Sequence, residues 1–332
     1  MYKEKGFMEL FPYSDDTTFE DANLQVLKKE LQKVKINSCL IIENGSCVFE
    51  YYKNKKMASK PQTLNSISKS VVSLLIGIAL EEGLIPSLDT PIVNYFERFM
   101  EKVDDERKLQ ITIDHLLTMT PGFDWPEFGE WQAFPKMFHA PHWVKYVLNR
   151  PLTHNPGEHM NYNTGATHLL TAILQQASGM KASAFAEKHL FKRLGIGEYR
   201  WYEDPQGVNN GGSGLCLRVK DLVKIGYLYL NKGMWSDKPI VSERWVEEST
   251  TPLFLTYNIG HYARHWWTNR VDQNEPWSEE NRYYFAMGYG GQYIIIIPSR
   301  QVVIVMTSEM YNDTHYPRRL AMNTLFSMSG HL

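Results

Sequence analysis

The sequence has few cysteines, no excess of charge of either sign and no long hydrophobic run. Its 332 residues include only three cysteines, Cys39, Cys47 and Cys216, and an odd, low count argues against a disulfide framework. Asn-Gly at positions 44–45 predicts a hairpin turn between two strands, and in that register Cys39 faces Glu50 on the opposite strand. The two hairpin thiols then lie on opposite faces of the sheet, so we expect no disulfide between them.

The charges are nearly balanced, with 35 lysines and arginines against 37 aspartates and glutamates and a net charge of −2. That balance gives no basis for binding a polyanion, so no nucleic-acid partner is expected. The longest strongly apolar stretch, residues 71–80, is roughly half as long as a membrane span. Residues 1–16 lack the apolar core and the small-residue cleavage site of a signal peptide. We therefore predict a cytoplasmic protein without a membrane span.

Two motifs that are common in hydrolases are also missing from the sequence. Neither Gly-x-Ser-x-Gly nor His-Glu-x-x-His occurs, which argues against a nucleophile elbow and a zinc-protease helix. His261 and His265 have a spacing that binds zinc on a helix, but their segment has an extended pattern and no accompanying glutamate. We predict no metal and no cofactor, and we expect one of these histidines, with Trp267, to edge a substrate cleft.

The sequence does contain a clear order of elements, with strands near both ends and helices in the middle. Apolar periodicity predicts strands at residues 38–42, 47–52, 293–297 and 302–307, and helices at 18–33, 67–82, 113–119, 143–148, 167–177, 182–194 and 317–328, with two more between 218 and 249. This order indicates an α/β subdomain built from both termini, about 1–83 and 206–332, and an inserted, mainly helical subdomain, about 84–205. A cleft between two such lobes is a common place for an active site.

The segment 65–80 carries the strongest chemical signal. Ser66 and Lys69 stand at Ser-x-x-Lys spacing at the start of a helix that is apolar on nearly all sides, and such a helix is buried. Residues three apart share a helix face, which brings the lysine amine to the serine hydroxyl. Desolvation and the helix dipole both lower the pKa of a lysine. A neutral Lys69 can then take the Ser66 proton, while the Ser66 backbone N–H is offered to an oxyanion.

The same spacing also has a purely structural interpretation, in which Ser66 caps the helix and Lys69 extends to solvent. A second copy, Ser178 and Lys181, lies in a polar turn between helices where the lysine would be solvated. Spacing alone is therefore a weak signal, and the apolar helix is what favours the first copy.

Five segments in the same order resemble the class C β-lactamases, DD-peptidases and related esterases of the β-lactamase-like, penicillin-binding-protein-like serine hydrolase family. The segments are 63–69, 111–122, 156–164, 212–222 and 288–292. The resemblance covers roughly residues 36 to 325 and implies an α+β fold, an α/β sandwich in which helices flank an antiparallel sheet beside a helical subdomain.

The resemblance also implies roles for individual residues. Ser66 would be the nucleophile, Lys69 the base, and Tyr162 the tyrosine of the Tyr-x-Asn motif, as a tyrosinate or as a proton shuttle to the leaving group. The Tyr289 N–H would join that of Ser66 in an oxyanion hole. Further implied substrate-binding positions are Thr164, Gly288, Gly291, Gln292, Trp125 and Trp267.

The sequence also allows purely structural roles for several of these residues. Tyr162 is also compatible with a core tyrosine, and the glycines at 288–291 with a bulge at a sheet edge. Trp125 and Trp131 follow a Pro-Gly turn and are either lid aromatics or core residues.

Two departures from the family pattern bear on the substrate. Ala286 and Met287 precede Gly288 where the family carries Lys-Thr-Gly or His-x-Gly, so no basic side chain is available there for the carboxylate of a β-lactam or a peptidoglycan stem. Thr164 replaces the asparagine that ends the Tyr-x-Asn motif. These departures favour the esterase and linear-amide branch, which includes the 6-aminohexanoate-dimer hydrolases.

The expected function is therefore acyl-enzyme hydrolysis of a small ester, amide or lactam at Ser66. A β-lactamase or DD-peptidase is one alternative, and a catalytically silent binding or sensor module is the other. The oligomeric state is not predicted by any feature of the sequence.

Overall fold

The structure, a computed structural model, describes residues 6–127, 133–256 and 259–326. Its strands are β1 (Ile36–Glu43), β2 (Ser46–Tyr52), β3 (Gln62–Thr63), β4 (Arg200–Trp201), β5 (Leu215–Leu217), β6 (Met234–Trp235), β7 (Lys238–Pro239), β8 (Phe254–Thr256), β9 (Gly260–Tyr262), β10 (Trp267–Arg270), β11 (Arg282–Gly288), β12 (Gln292–Ile297) and β13 (Val302–Ser308).

Most of the helices lie between β3 and β4, and the others are distributed among the remaining strands. The helices are α1 (Phe7–Leu10), α2 (Asp21–Lys33), α3 (Lys55–Ser59), α4 (Ile67–Glu81), α5 (Val93–Met100), α6 (Ile113–Leu117), α7 (Ala133–His139), α8 (Trp143–Leu148), α9 (Thr164–Ser178), α10 (Ala182–Ala186), α11 (Lys192–Leu194), α12 (Val219–Leu230), α13 (Glu243–Thr250) and α14 (Tyr316–Phe326). Short 3-10 turns cover Glu106–Gln110 and Pro298–Arg300, and a π-helical turn covers Glu187–Phe191.

Both ends of the chain build one eight-stranded antiparallel sheet, in the order β2-β1-β13-β12-β11-β10-β9-β8. Strands β1, β12 and β13 are buried along their whole length, so they lie between layers of other residues. Helix α12 packs on β12 and β13, α14 on β12 and α2, and α4 on β11 and β12. These layers confirm the predicted α+β fold, in which helices flank an antiparallel sheet. The predicted boundaries of the two subdomains, about 84 and 205, remain a prediction.

The hairpin register differs by one residue from the prediction. A bulge between Ile41 and Ile42 shifts the β1–β2 pairing, so that Cys39 lies opposite Tyr51 and not Glu50. Strand β1 is buried along its whole length, so its sequence has no alternation that would reveal an extra residue in the partner strand. Cys39, Cys47 and Cys216 are all buried free thiols.

Four strands between 254 and 288 were not among the predicted elements. Strands β8, β9 and β10 have only three or four residues each, which is too short to show alternation. Strand β11 is buried on both faces along most of its length, so its sequence does not alternate either. The predicted helix at 182–194 is also divided, because the π-helical turn separates α10 from α11.

Helix α4 lies at the centre of the molecule. All its residues from Ile67 to Ala79 are buried, as the apolar composition predicted. Gly77 lets α13 approach, because a Cβ at that position would lie 2.3 Å from the Trp245 ring. Helix α9 packs along α4, which brings the Tyr-x-Asn segment, 156–164, beside the Ser-x-x-Lys segment, 63–69. None of the helices in the described ranges has both the length and the apolarity needed to cross a bilayer.

Candidate active site

Ser66 lies at the N-terminal end of α4, in a segment that is fixed on both sides. Asn65 before it has a φ of +50°, a left-handed conformation that asparagine tolerates better than most residues, and its Nδ2 donates to the carbonyl of Tyr289 at 2.6 Å. Ser68 Oγ donates to the Asn65 carbonyl at 2.7 Å and accepts from Leu215 N–H at 3.1 Å. The Ser66 hydroxyl makes no hydrogen bond to the backbone N–H groups at the start of α4, so it does not cap the helix.

Lys69 is buried, with 1% of its surface exposed, and so it does not extend to solvent. Its Nζ lies 2.8 Å from Ser66 Oγ, 3.0 Å from Thr164 Oγ1 and 2.7 Å from the Gly212 carbonyl oxygen. Burial lowers the pKa of this amine to about 8, and the negative charge of Glu127 acts against that shift. At that pKa roughly a tenth of Lys69 is uncharged at pH 7, and this fraction is able to accept a proton.

The Tyr162 ring lies beside the amine, with its centroid 4.9 Å from Lys69 Nζ. Desolvation raises the pKa of the Tyr162 phenol far above its usual value, although a hydrogen bond with Ser66 acts in the opposite direction. Tyr162 is thus a neutral phenol at physiological pH, which favours a proton donor over a tyrosinate.

Two aromatic side chains hold Tyr162 in place. Trp267 on β10 stacks on it at 6.0 Å between ring centroids, and Tyr262 on β9 meets it edge-on at 5.9 Å. Trp267, which was expected to edge the cleft, is buried and packs against the ring of Tyr162. The short strands that the sequence did not reveal therefore position this tyrosine.

Behind Lys69 lies His265, one of the two histidines of which one was expected at the cleft edge, and it is 2% exposed. Its Nε2 is 3.0 Å from Thr167 Oγ1 and its Nδ1 is 3.2 Å from the Tyr262 hydroxyl. Burial and the nearby Lys69 lower the pKa of its imidazole to about 3. His261 is half-buried and packs against Trp277. No cluster of three or more metal-ligating side chains is found in the ranges that the structure covers.

Glu127 is a member of this site that sequence reasoning missed. Its carboxylate is nine-tenths buried and accepts hydrogen bonds from the Thr164 hydroxyl, from Thr164 N–H at 3.0 Å and from Trp125 Nε1. Trp125 is itself buried and holds this carboxylate, while Trp131 lies outside the described residues. Glu127 precedes Thr164 by 37 positions on a different element, so neither spacing nor periodicity connects the two.

The glycine-rich segment forms the turn between β11 and β12. Gly288 pairs with Gln292, and Gly290 and Gly291 have φ values of +83° and +87°, which suit glycine. A Cβ on Gly288 would lie 2.1 Å from the Leu64 carbonyl oxygen, so only glycine lets this turn approach the segment before Ser66.

The side chains of this turn have different surroundings. Gln292 is buried and exchanges two hydrogen bonds with the Ser308 backbone, at 2.7 and 3.1 Å. Tyr289 is 58% exposed and packs against Tyr311 with ring centroids 5.2 Å apart. The turn thus combines a fixed backbone with an exposed aromatic pair close to Ser66.

The chain matches the Beta-lactamase family model over residues 39–325. It is 22% identical over 326 residues to the 6-aminohexanoate-dimer hydrolase of Paenarthrobacter ureafaciens, covering 91% of this chain and 80% of that protein. It is 24% identical over 144 residues to esterase EstB of Burkholderia gladioli, covering 40% of this chain and 36% of that one.

A solved structure from Bacillus anthracis, provisionally assigned as a 6-aminohexanoate-dimer hydrolase, superposes with a TM-score of 0.75 at 20% identity, over 92% of this chain and 83% of that chain. The family model spans most of the sequence, which confirms the resemblance inferred from the five motifs. This chain belongs to the beta-lactamase family, a family of serine hydrolases.

Proposed function

We propose that this protein hydrolyses an ester or amide bond through an acyl-enzyme formed on Ser66. The observation that carries the proposal is the 2.8 Å separation between Ser66 Oγ and the buried amine of Lys69, whose pKa is lowered to about 8. A serine hydroxyl becomes a useful nucleophile only when a base can take its proton.

In acylation, Ser66 Oγ attacks the substrate carbonyl carbon and its proton passes to uncharged Lys69. The backbone N–H groups of Ser66 and Tyr289 would hold the oxyanion. The hydrogen bond between Asn65 and the Tyr289 carbonyl supports this assignment, because it ties the two segments together.

Collapse of the tetrahedral intermediate breaks the bond to the leaving alcohol or amine. Tyr162 donates its phenolic proton to that group and recovers one from the Lys69 ammonium, which restores both side chains. A water molecule then attacks the Ser66 ester and gives up a proton to the same pair of side chains. That proton returns to Ser66 Oγ as the acid leaves, which restores the free enzyme.

The residues that precede Gly288 bear on the substrate class. Ala286 is fully buried in the place where many relatives carry a basic residue, so this position cannot anchor a substrate carboxylate. The relatives that hydrolyse 6-aminohexanoate dimers and esters support a linear amide or ester as the substrate. Thr164, Gly288, Gly291, Gln292, Trp125 and Trp267 complete the proposed site, either beside the substrate or behind the residues that contact it.

The test is the intact mass of the protein after treatment with a fluorophosphonate probe. We expect wild type to gain one phosphonyl group, Ser66→Ala to gain none, and the control Ser178→Ala to react like wild type. Absence of an adduct on folded wild type, with a small probe as well as a bulky one, would favour a silent binding module. A panel of an ester, a 6-aminohexanoate dimer and a cephalosporin then identifies the carbonyl that is cleaved.

A further inference from the structure

The amine of Lys69 has three polar neighbours, and they do not have equal hydrogen-bonding freedom. The Gly212 carbonyl oxygen, 2.7 Å from Nζ, can only accept. The hydroxyls of Thr164, at 3.0 Å, and Ser66, at 2.8 Å, can each donate or accept. The direction in which the Thr164 hydroxyl donates its proton therefore decides whether the electron pair of uncharged Lys69 is free to accept from Ser66.

Glu127 fixes that direction. A carboxylate accepts hydrogen bonds and has no proton to give, and the Thr164 hydroxyl donates to Glu127 Oε1. With its proton committed to Glu127, Thr164 Oγ1 can only accept from Lys69. An uncharged Lys69 has two N–H groups, and these are taken by Thr164 and Gly212. Its free electron pair is left facing the Ser66 hydroxyl.

We propose that Glu127, acting through Thr164, aims the free electron pair of uncharged Lys69 at Ser66, and is thus a positioning residue for the hydrolysis proposed above. The inference rests on that proposed function. Without the carboxylate, Thr164 could turn its proton toward Lys69 and occupy the electron pair. The amine would then be satisfied by Thr164 and would no longer act as a base toward Ser66.

The substitution Glu127→Gln reverses the hydrogen bonds without changing the shape of the side chain. Oε2 accepts from two fixed donors, Thr164 N–H and Trp125 Nε1, so the amide oxygen of glutamine belongs at that position. Its NH2 group then faces Thr164 Oγ1 and donates to it. The threonine proton has to point elsewhere, and the electron pair of Lys69 is the nearest acceptor.

The experiment measures the rate at which the fluorophosphonate probe modifies Ser66 between pH 6 and 10. In wild type we expect this rate to rise with pH and level off above about 8, as Lys69 loses its proton. In Glu127→Gln we expect the high-pH rate to fall on the order of 100-fold, the size of a general-base contribution.

The pH at which the rate levels off provides a second readout. The titratable groups that face Lys69 are Glu127, Tyr162 and His265. The pKa of Tyr162 is raised and that of His265 is lowered to about 3, so both are uncharged near neutrality. Removing the Glu127 charge should lower the pKa of Lys69 and move the profile to lower pH. A site that merely loosened would admit water and move the profile upward.

Glu43→Gln is the matched control. Glu43 is a buried carboxylate that likewise accepts from threonine hydroxyls and a threonine N–H, those of Thr17 and Thr18. Its substitution should lower thermal stability while leaving the rate and its pH profile unchanged. Equal high-pH rates in wild type and Glu127→Gln would overturn the inference and leave the proposed function intact. Absence of any Ser66 adduct in folded wild type would overturn both.

If Glu127→Gln does not fold, two variants of Thr164 answer the same question. Thr164→Ser keeps the hydroxyl that Glu127 orients, and Thr164→Val removes it. The serine variant should be modified on the order of tenfold faster than the valine variant at high pH. Equal rates would show that the hydroxyl has no part in directing Lys69.

Discussion

The chain carries the same Ser-x-x-Lys spacing twice, once at the start of helix α4 and once at the end of helix α9. Ser66 and Lys69 occupy the N-terminal end of α4, inside the molecule, whereas Ser178 ends α9 and Lys181 follows it at the surface. Ser178 Oγ donates to the Leu174 carbonyl at 2.6 Å, so its hydroxyl satisfies the end of its own helix. Ser66 makes no such bond and faces an amine.

The two lysines differ even more. The Lys181 side chain is half-exposed and forms an ion pair with Glu203 at 2.7 Å, while Lys69 contacts two hydroxyls and a carbonyl oxygen. The amine of Lys181 is therefore engaged by a carboxylate, whereas that of Lys69 faces the Ser66 hydroxyl. The comparison teaches that spacing places a serine near a lysine, but burial and the neighbouring acceptors decide whether the lysine can act as a base.

The largest expected effect comes from removing each lysine in turn. Lys69→Met should reduce the rate of Ser66 modification and of ester hydrolysis by about 10²- to 10⁴-fold, because the general base is lost. Lys181→Met, the matched control, should leave both rates unchanged. Initial rates with a p-nitrophenyl ester measure this directly. Equal losses in the two variants would mean that Lys69 has no special role.

A smaller effect is expected on the stability of the protein in acid, through His265, which lies behind Lys69. The pKa of His265 is lowered to about 3 in the folded protein, against about 6.5 in an unfolded chain. The unfolded state therefore binds more protons below pH 6.5, and stability falls as the pH drops from 6.5 toward 3. Between pH 6.5 and 4 this group should contribute a loss on the order of 3 kcal/mol.

Denaturant unfolding of His265→Asn at several pH values tests that expectation. Asparagine suits the φ of +65° at this position. The variant should be less stable than wild type at pH 7 but lose less stability on acidification. His154→Asn, a substitution at an exposed histidine, is the control. Parallel curves for wild type and His265→Asn would contradict a neutral His265 in the folded state.

The smallest effect is expected at Lys181, the lysine of the exposed Ser-x-x-Lys sequence. The ion pair between Lys181 and Glu203 is partly exposed on both sides, and pairs of this kind contribute less than about 1 kcal/mol. Lys181→Met should change the free energy of unfolding by no more than that, and the difference should shrink in high salt. A loss of several kcal/mol would show that this pair has a structural role that its exposure does not suggest.

Much of the fold could be predicted because the spacing of apolar residues along the chain indicates many of its helices and strands. The apolar run after Ser66 predicted a buried helix, and residues Ile67 to Ala79 are buried. The helix at Trp143–Leu148 and the last two strands were also predicted to within a residue or two. Elements that escaped prediction, such as β8 to β11, are too short or too evenly buried to show a period.

The sequence by itself placed Ser66 and Lys69 on one face of a helix, because residues three apart share a face. It also determined that this face is buried, because the rest of the helix is apolar. Only the tertiary structure decided that Glu127 reaches Thr164, that Trp267 supports Tyr162, and that the 288–292 turn lies against the segment before Ser66. These contacts join separate elements, and their geometry depends on how helices and strands pack together, which no local pattern records.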